Sequence, residues 1–402
     1  MVLHLNRTGE PLPGEGADMP WIARTATGVT AAATLLLSAL ATAPPAAAGQ
    51  RACTGWVVKP SPSTGSATLS AVAATSAKDV WAVGSFNTGG AFKTLIEHWD
   101  GTRWAIVPNP NPASGFHTTN TLGAVVAITP KNAWAFGFYL KATTSFRTLV
   151  EHWNGVRWSV VSSPNVGSGE NTLAAGVARS GTNIWAVGYH GDPDHRRTLT
   201  EHWNGTRWSV VPSPSVGSGD NFLFGAAAAS GGPVWAVGSD SVSFGRTLAL
   251  RWNGQAWTVG KTVSPGDGDR FLQAVTAPGA RYALAVGSYL KGNQTRALAE
   301  RWTGSGWSLV PAASPAADYN SLQAAAATGT RNAWAVGSRR TSLGKPFRTL
   351  AEHWNGTSWT AMASPSVGPG DNWLYGVAAV PTGGGFWAVG TDGNNTLTEF
   401  HC

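Results

Sequence analysis

The sequence predicts an all-β protein made of seven copies of one unit, and three observations carry that expectation. Gly and Pro are abundant, at 50 and 24 of 402 residues, which suits short strands joined by turns. The string WAVG begins at Trp81, Trp134 (as WAFG), Trp185, Trp235, Leu284 (as LAVG), Trp334 and Trp387, at intervals of 49 to 53 residues. A second string, TLxEHWNGxxW, stands between these copies from Thr94, Thr148, Thr198 and Thr349, with decayed forms from Thr247 and Ala297. A repeat of this length marks a propeller or a solenoid.

Before the repeats, residues 1–48 read as an export signal. Arg24 precedes an apolar run from about Val29 to Ala43, and a small-residue stretch ends at Ala46–Ala48. That is the order of a cleaved secretory signal, and the run is too short for a membrane span. Translation starts at Met1 or Met19. Residues 49–402 are then the mature domain, secreted and without a membrane span.

Each unit reads as four strands. NxLxAVAA is small and apolar, suited to crowding near an axis. VWAVG is continuously apolar, so both its faces are expected to be buried. TLxEHW is β-rich. WSVVPSP ends in prolines, as an edge strand does. Asn-Gly between the third and fourth strands predicts a type I′ hairpin turn with positive φ at both central residues. Four antiparallel strands, seven times, predict a seven-bladed β-propeller. A solenoid would need distinct caps.

The two ends complement each other. TLTEFHC, ending at Cys402, is a third strand without its fourth, and CTGWVVKPSP from Cys53 is a fourth strand without its third. One composite blade built from both ends would close the ring. The only two cysteines fall on the Asn and Gly of the missing turn, which predicts a Cys53–Cys402 disulfide, in keeping with export.

The 21 tryptophans follow the repeat. Six lie in WAVG, six in the EHW position and seven after the NG turn; Trp21 and Trp373 stand outside. With 12% charged residues and a net charge of +7, the chain is no disordered polycation. Its basic residues form no single run, so nucleic acid is not expected as a partner.

These WAVGS, LxEHWNGxxWSVVPSP and PSPxVGSGDN strings resemble those of secreted bacterial seven-bladed propeller repeat proteins. At a distance they are similar to kelch and galactose-oxidase-like propellers, and NGTRW resembles the Asp-box turn of sialidases. The resemblance implies fold and export and little about activity, because propellers host binders, hydrolases, lyases and oxidases alike.

Residues present in nearly every unit are read as architectural. Glu97, Glu151, Glu201, Glu300 and Glu352 follow Lys93, Arg147, Arg197, Arg296 and Arg348 by four residues, and Glu399 recurs at the same position. Glu–Arg pairs are expected from them, with Arg246 free because Leu250 replaces its Glu. His98, His152, His202 and His353 are expected to pack. The PSPxVGSGDN loops and the loops after WAVG are expected to share one face. They bring Glu170, Asp220, Asp269, Asp318 and Asp371, with Asn171, Asn221, Asn320 and Asn372, towards the channel mouth. That ring can hold Ca²⁺ or sugar hydroxyls, or its Asx bonds can set the turns.

Departures from the repeat are more informative. Trp373 and Tyr375, and at corresponding positions Phe222, Phe224 and Phe271, replace Thr or Ser found elsewhere. Aromatic rings beside Asp371, Asn372 and Asp220 suit a sugar ring, or gap filling between blades. In repeat three, His190, Asp192, Asp194 and His195 cluster, as a metal or acid–base site would. In repeat six, SRRTSLGKPFR from Ser338 is basic and suits an anionic partner. No GxSxG, HExxH or CxxC is present, and no catalytic residue, metal or cofactor is assigned. The expected function is a secreted, monomeric binding module for glycan or cell-envelope polymer. The alternatives are a polysaccharide hydrolase or lyase, and an extracellular protein-interaction scaffold.

Overall fold

Strand pairing follows the repeat. The computed structural model describes residues 55–140, 145–240 and 245–402; the expected signal, 1–48, and Cys53 lie outside the described residues. The strands form three four-stranded and two eight-stranded sheets. In each of the larger ones, two four-stranded antiparallel halves meet through one parallel residue pair, Phe92 with Thr119 or Thr295 with Tyr319.

Repeat three shows the pattern. Its strands Glu170–Ser180, Asn183–Gly191, Arg197–Trp203 and Trp208–Val210 pair in sequence order. The last sheet draws on both ends: Trp373–Ala379, Phe386–Thr391 and Thr396–His401 pair in order, and Trp56–Val58 adds to the outside. His401 faces Trp56 as Trp203 faces Trp208, so Cys402 takes the place of Asn204.

The first strands, Ala67–Ser76, Thr119–Thr129, Glu170–Ser180, Asn221–Ala228, Arg270–Gly279, Tyr319–Gly329 and Trp373–Ala379, pack each against the next. Trp373–Ala379 also packs against Ala67–Ser76. The second strands are buried on both faces, as their unbroken apolar runs require.

Tryptophans fill the spaces between repeats. The WAVG Trp of one repeat meets the third- and fourth-strand Trp of the next. Trp81 lies 4.9 Å from Trp153 and 5.2 Å from Trp158, and Trp185 lies 4.7 Å from Trp252 and 5.2 Å from Trp257. Such tilted and edge-on pairs add about 0.5–1.5 kcal/mol each beyond their burial. Leu284 takes the role of the WAVG Trp against Trp354 and Trp359, and His401 takes that of the third-strand Trp beside Trp334 and Trp56. Trp387 of repeat seven meets Trp99 and Trp104 of repeat one, at 4.9 and 5.1 Å.

Each first strand carries a β-bulge one residue after its Leu, for example between Leu173 and Ala175 or Leu374 and Gly376. The bulge throws a backbone carbonyl at the second strand. A methyl added to Gly188 would overlap the Thr172 carbonyl oxygen, and the same holds for the Gly of all seven WAVG strings. The repeated glycine is therefore a close-approach requirement.

Two sequence expectations are corrected here. The Asn-Gly turn is a four-residue connection, not a two-residue type I′ turn. Only Gly205 has positive φ (98°), while Asn204 Oδ1 accepts the N–H of Thr206 and Arg207 at 2.9 and 3.0 Å. This Asx turn costs less than forcing Asn itself to positive φ.

The Glu–Arg pairs do not form among the described residues. Four residues along a strand is about 13 Å, too far for two side chains on one face to meet. The six glutamates are fully buried, and five of them bridge repeats through hydrogen bonds. Glu201 Oε2 accepts the Ser163 hydroxyl at 2.7 Å and Glu399 Oε2 that of Ser364 at 2.9 Å. Both serines precede a proline, which has no N–H to offer. Where that proline is replaced, by Val263 or Ala313, the backbone N–H donates instead, to Glu300 at 3.2 Å and Glu352 at 3.0 Å. Arg246, expected to be free, lies 3.3 Å from Asp240.

Candidate functional site

Both predicted loop sets meet. The connection before each third strand bonds to the start of the next repeat's first strand: Asn171 N–H donates to Phe146 C=O, Asn221 N–H to Arg196 C=O, and Asn372 N–H to Phe347 C=O, at 2.9, 3.0 and 3.0 Å. The asparagines set these turns. Asn372 is fully buried; its Oδ1 accepts the Val367 N–H at 2.7 Å and its Nδ2 donates to Val367 and Gly370 carbonyls. Asn171, Asn221 and Asn320 are held in the same way. Their amides are spent on the backbone.

The loop carboxylates are partnered too. Arg196 binds Glu170 at 2.8 Å and Asp220 at 3.1 Å, and Arg340 binds Asp318 at 2.7 Å. Asp269 accepts the Gly245 N–H, and Asp371 accepts the Phe347 N–H at 2.8 Å. Among the described residues, no three His, Cys, Asp or Glu side chains converge as a metal site would require; His190, Asp192, Asp194 and His195 do not make one.

The histidines stack on the WAVG tryptophans, as Trp134 and His152 do at 4.2 Å, and their Nε2 atoms meet Asn132, Asn183, Asn332 or Asp79. Burial pushes His152, His202 and His353 below the usual imidazole value.

The aromatic departures fall into two groups. Tyr375 is the extra residue of the last bulge and Trp373 lies two residues before it, their rings parallel to within 2° and 6.3 Å apart. Phe347 lies 4.0 Å from Trp373 and 5.1 Å from Tyr319, and Arg340 caps Phe347 at 4.6 Å. All of these side chains are half-buried. Burial pushes the Tyr375 hydroxyl up to about 12, helped by Tyr319 and Asp371. In the second group, Phe222 stacks near Phe224 and meets Tyr189 at 5.0 Å, with Arg196 over both Tyr189 and Phe222. Phe271 is half-buried opposite Ser288 and joins neither group.

Phe347 and Tyr319 were not singled out by sequence. Both sit in repeat six, and the signal for Phe347 was the unusual loop that carries it.

The bulge residues divide the first strands unequally. They are Ser70, Gly123 and Ala174 in repeats one to three, then Phe224, Gln273, Gln323 and Tyr375. Side-chain bulk is thus concentrated in repeats four to seven.

This fold and repeat define a β-propeller repeat protein. A solved structure described as "YCF48 bound to D1 peptide", itself a β-propeller, matches it with a TM-score of 0.53 at 13% identity, covering 86% of this chain and 96% of that one. The likeness is one of fold. No protein-family model and no curated protein matches the sequence.

Proposed function

We propose that this chain is a secreted, seven-bladed propeller that closes as a ring and binds a polypeptide segment on the aromatic surface between repeats six and seven. The observation that carries the binding reading is the half-buried cluster of Trp373, Tyr375, Phe347 and Tyr319. It joins two repeats, and at the Trp373 position four of the other six first strands present Thr or Ser. Rigid aromatic side chains with one face open are the usual anchors of protein interfaces. The peptide-bound propeller of similar fold supports a polypeptide occupant.

Closure is supported by Trp387 against Trp99 and Trp104 and by the sheet shared between the two ends. The Cys53–Cys402 disulfide is supported by the His401–Trp56 register, and export by the pattern of residues 1–48. The glycan reading keeps one observation in its favour: the parallel Trp373 and Tyr375 rings, which suit the flat face of a sugar. The hydrolase reading has none, because the five loop carboxylates are already partnered.

The test is to screen the protein against a displayed peptide library and a glycan array, with Trp373→Ala alongside. Peptides that bind the parent about tenfold or more tightly than the variant are expected. Binding to glycans alone would favour the second reading. Hits indifferent to Trp373→Ala would reject this surface.

A further inference from the structure

Repeat six departs from its siblings in one more way. In six repeats a residue near the end of the second strand pairs across to a Lys or Arg near the start of the third, four residues before the buried Glu position. These pairs are Phe86 with Lys93, Tyr139 with Arg147, His190 with Arg197 and Tyr289 with Arg296. In repeat four the partners are Asp240 and Arg246, an ion pair at 3.3 Å. In repeat six they are Arg339 and Arg348. Like charges directly opposite on antiparallel strands are destabilising.

The connection between them adds a third cation, Lys345. Together Arg339, Thr341, Lys345, Pro346 and Arg348 line a cleft of about 300 Å³. No carboxylate lines it. Among the described residues, none of the three cations forms an ion pair, while neighbouring Arg340 is taken by Asp318. Arg348 is held in place by the next loop, donating to the carbonyls of Gly368, Pro369 and Gly370 at 2.8–3.3 Å. Arg339 is anchored through Nε on the Thr349 carbonyl at 3.3 Å. A local violation of charge pairing that the rest of the fold avoids is the mark of a functional site.

We propose that this cleft is a binding site for a tetrahedral oxyanion, a phosphate or sulfate ester. Three cations match a dianion better than they match one carboxylate: Arg339, anchored through Nε, presents its two terminal nitrogens, Lys345 adds a mobile ammonium, and Arg348, whose terminal nitrogens bond the Gly368–Gly370 carbonyls, adds fixed positive charge. The volume suits the anionic group and the atoms next to it. Bound anion would relieve the Arg339–Arg348 repulsion, so it would stabilise the fold by mass action. The cleft adjoins the aromatic surface, since Phe347 lies between Pro346 and Arg348, but its lining contains none of that surface's rings, and the proposal rests on the cations alone.

The experiment is thermal unfolding and isothermal titration of the full chain with inorganic phosphate, sulfate and acetate at matched ionic strength. Phosphate or sulfate is expected to raise the unfolding temperature where acetate does not. The stronger of the two identifies the ester. Arg339→Asp rebuilds the ion pair of repeat four; it is expected to raise the unfolding temperature in low salt and weaken phosphate binding about tenfold or more. Lys345→Gln, on the exposed connection, is expected to weaken phosphate binding and leave the anion-free unfolding temperature unchanged. Equal responses to acetate and phosphate would overturn the proposal, as would undiminished phosphate binding by both variants.

Discussion

Glu201 and its five counterparts are the residues whose environment departs furthest from their usual chemistry. Burial holds Glu97, Glu151, Glu201, Glu352 and Glu399 up at about 8, and Glu300 at about 7, against an ordinary value of 4.5. A carboxyl that keeps its proton more tightly when folded contributes its full stability below about 4.5 and loses it as pH rises through about 8. The buried imidazoles act in the opposite sense, losing stability as pH falls below 6.5. Between pH 6.5 and 9 the glutamates dominate, and the unfolding temperature is expected to fall. Glu201→Gln keeps an acceptor for Ser163 but cannot ionise. Its curve of unfolding temperature against pH is expected to be flatter than the parent's over that interval; parallel curves would contradict a protonated Glu201. The sequence made the recurrence of this Glu plain. It could not show that the partner is a hydroxyl or N–H from another repeat, because that contact lies 35 to 42 residues away.

The first strand with its bulge is the element that sets the mouth. The bulge brings a backbone carbonyl against the WAVG glycine, and it turns Phe224 or Tyr375 out of the regular alternation. Gly188→Ala is expected to cost at least about 3 kcal/mol, measured by urea unfolding, because backbone and not a flexible side chain occupies the space. A loss below about 1 kcal/mol would show that the bulge can shift. The four strands of each repeat were legible from WAVG, TLxEHW and the prolines. The bulge was not, since nothing in NxLxAVAA marks an extra residue until pairing with the second strand reveals it. The Asx turn was missed for a related reason. Asn-Gly is compatible with two turn types, and the Trp203–Trp208 pairing decides between them.

At the scale of the whole molecule, the two ends share a sheet while the tryptophans of repeats seven and one interlock. A crosslink there would close a loop of about 350 residues. Cys402→Ser is therefore expected to lower stability by about 2–5 kcal/mol in urea unfolding, and reductant should lower the parent to the same midpoint. Equal midpoints for parent and variant without reductant, or two free thiols in the parent, would contradict the proposed disulfide.

The sequence by itself determined the number of repeats, the role of nineteen tryptophans and the complementarity of the two ends, because repetition exposes what each position must do for packing. Only the tertiary structure decided which departures meet. It joined Trp373 and Tyr375 to Phe347 and Tyr319, left Phe271 apart, spent the asparagines on their own turns, and set Arg339 against Arg348. Those outcomes depend on cross-strand register and on loops from adjacent repeats, and such non-local geometry leaves no periodic trace along the chain.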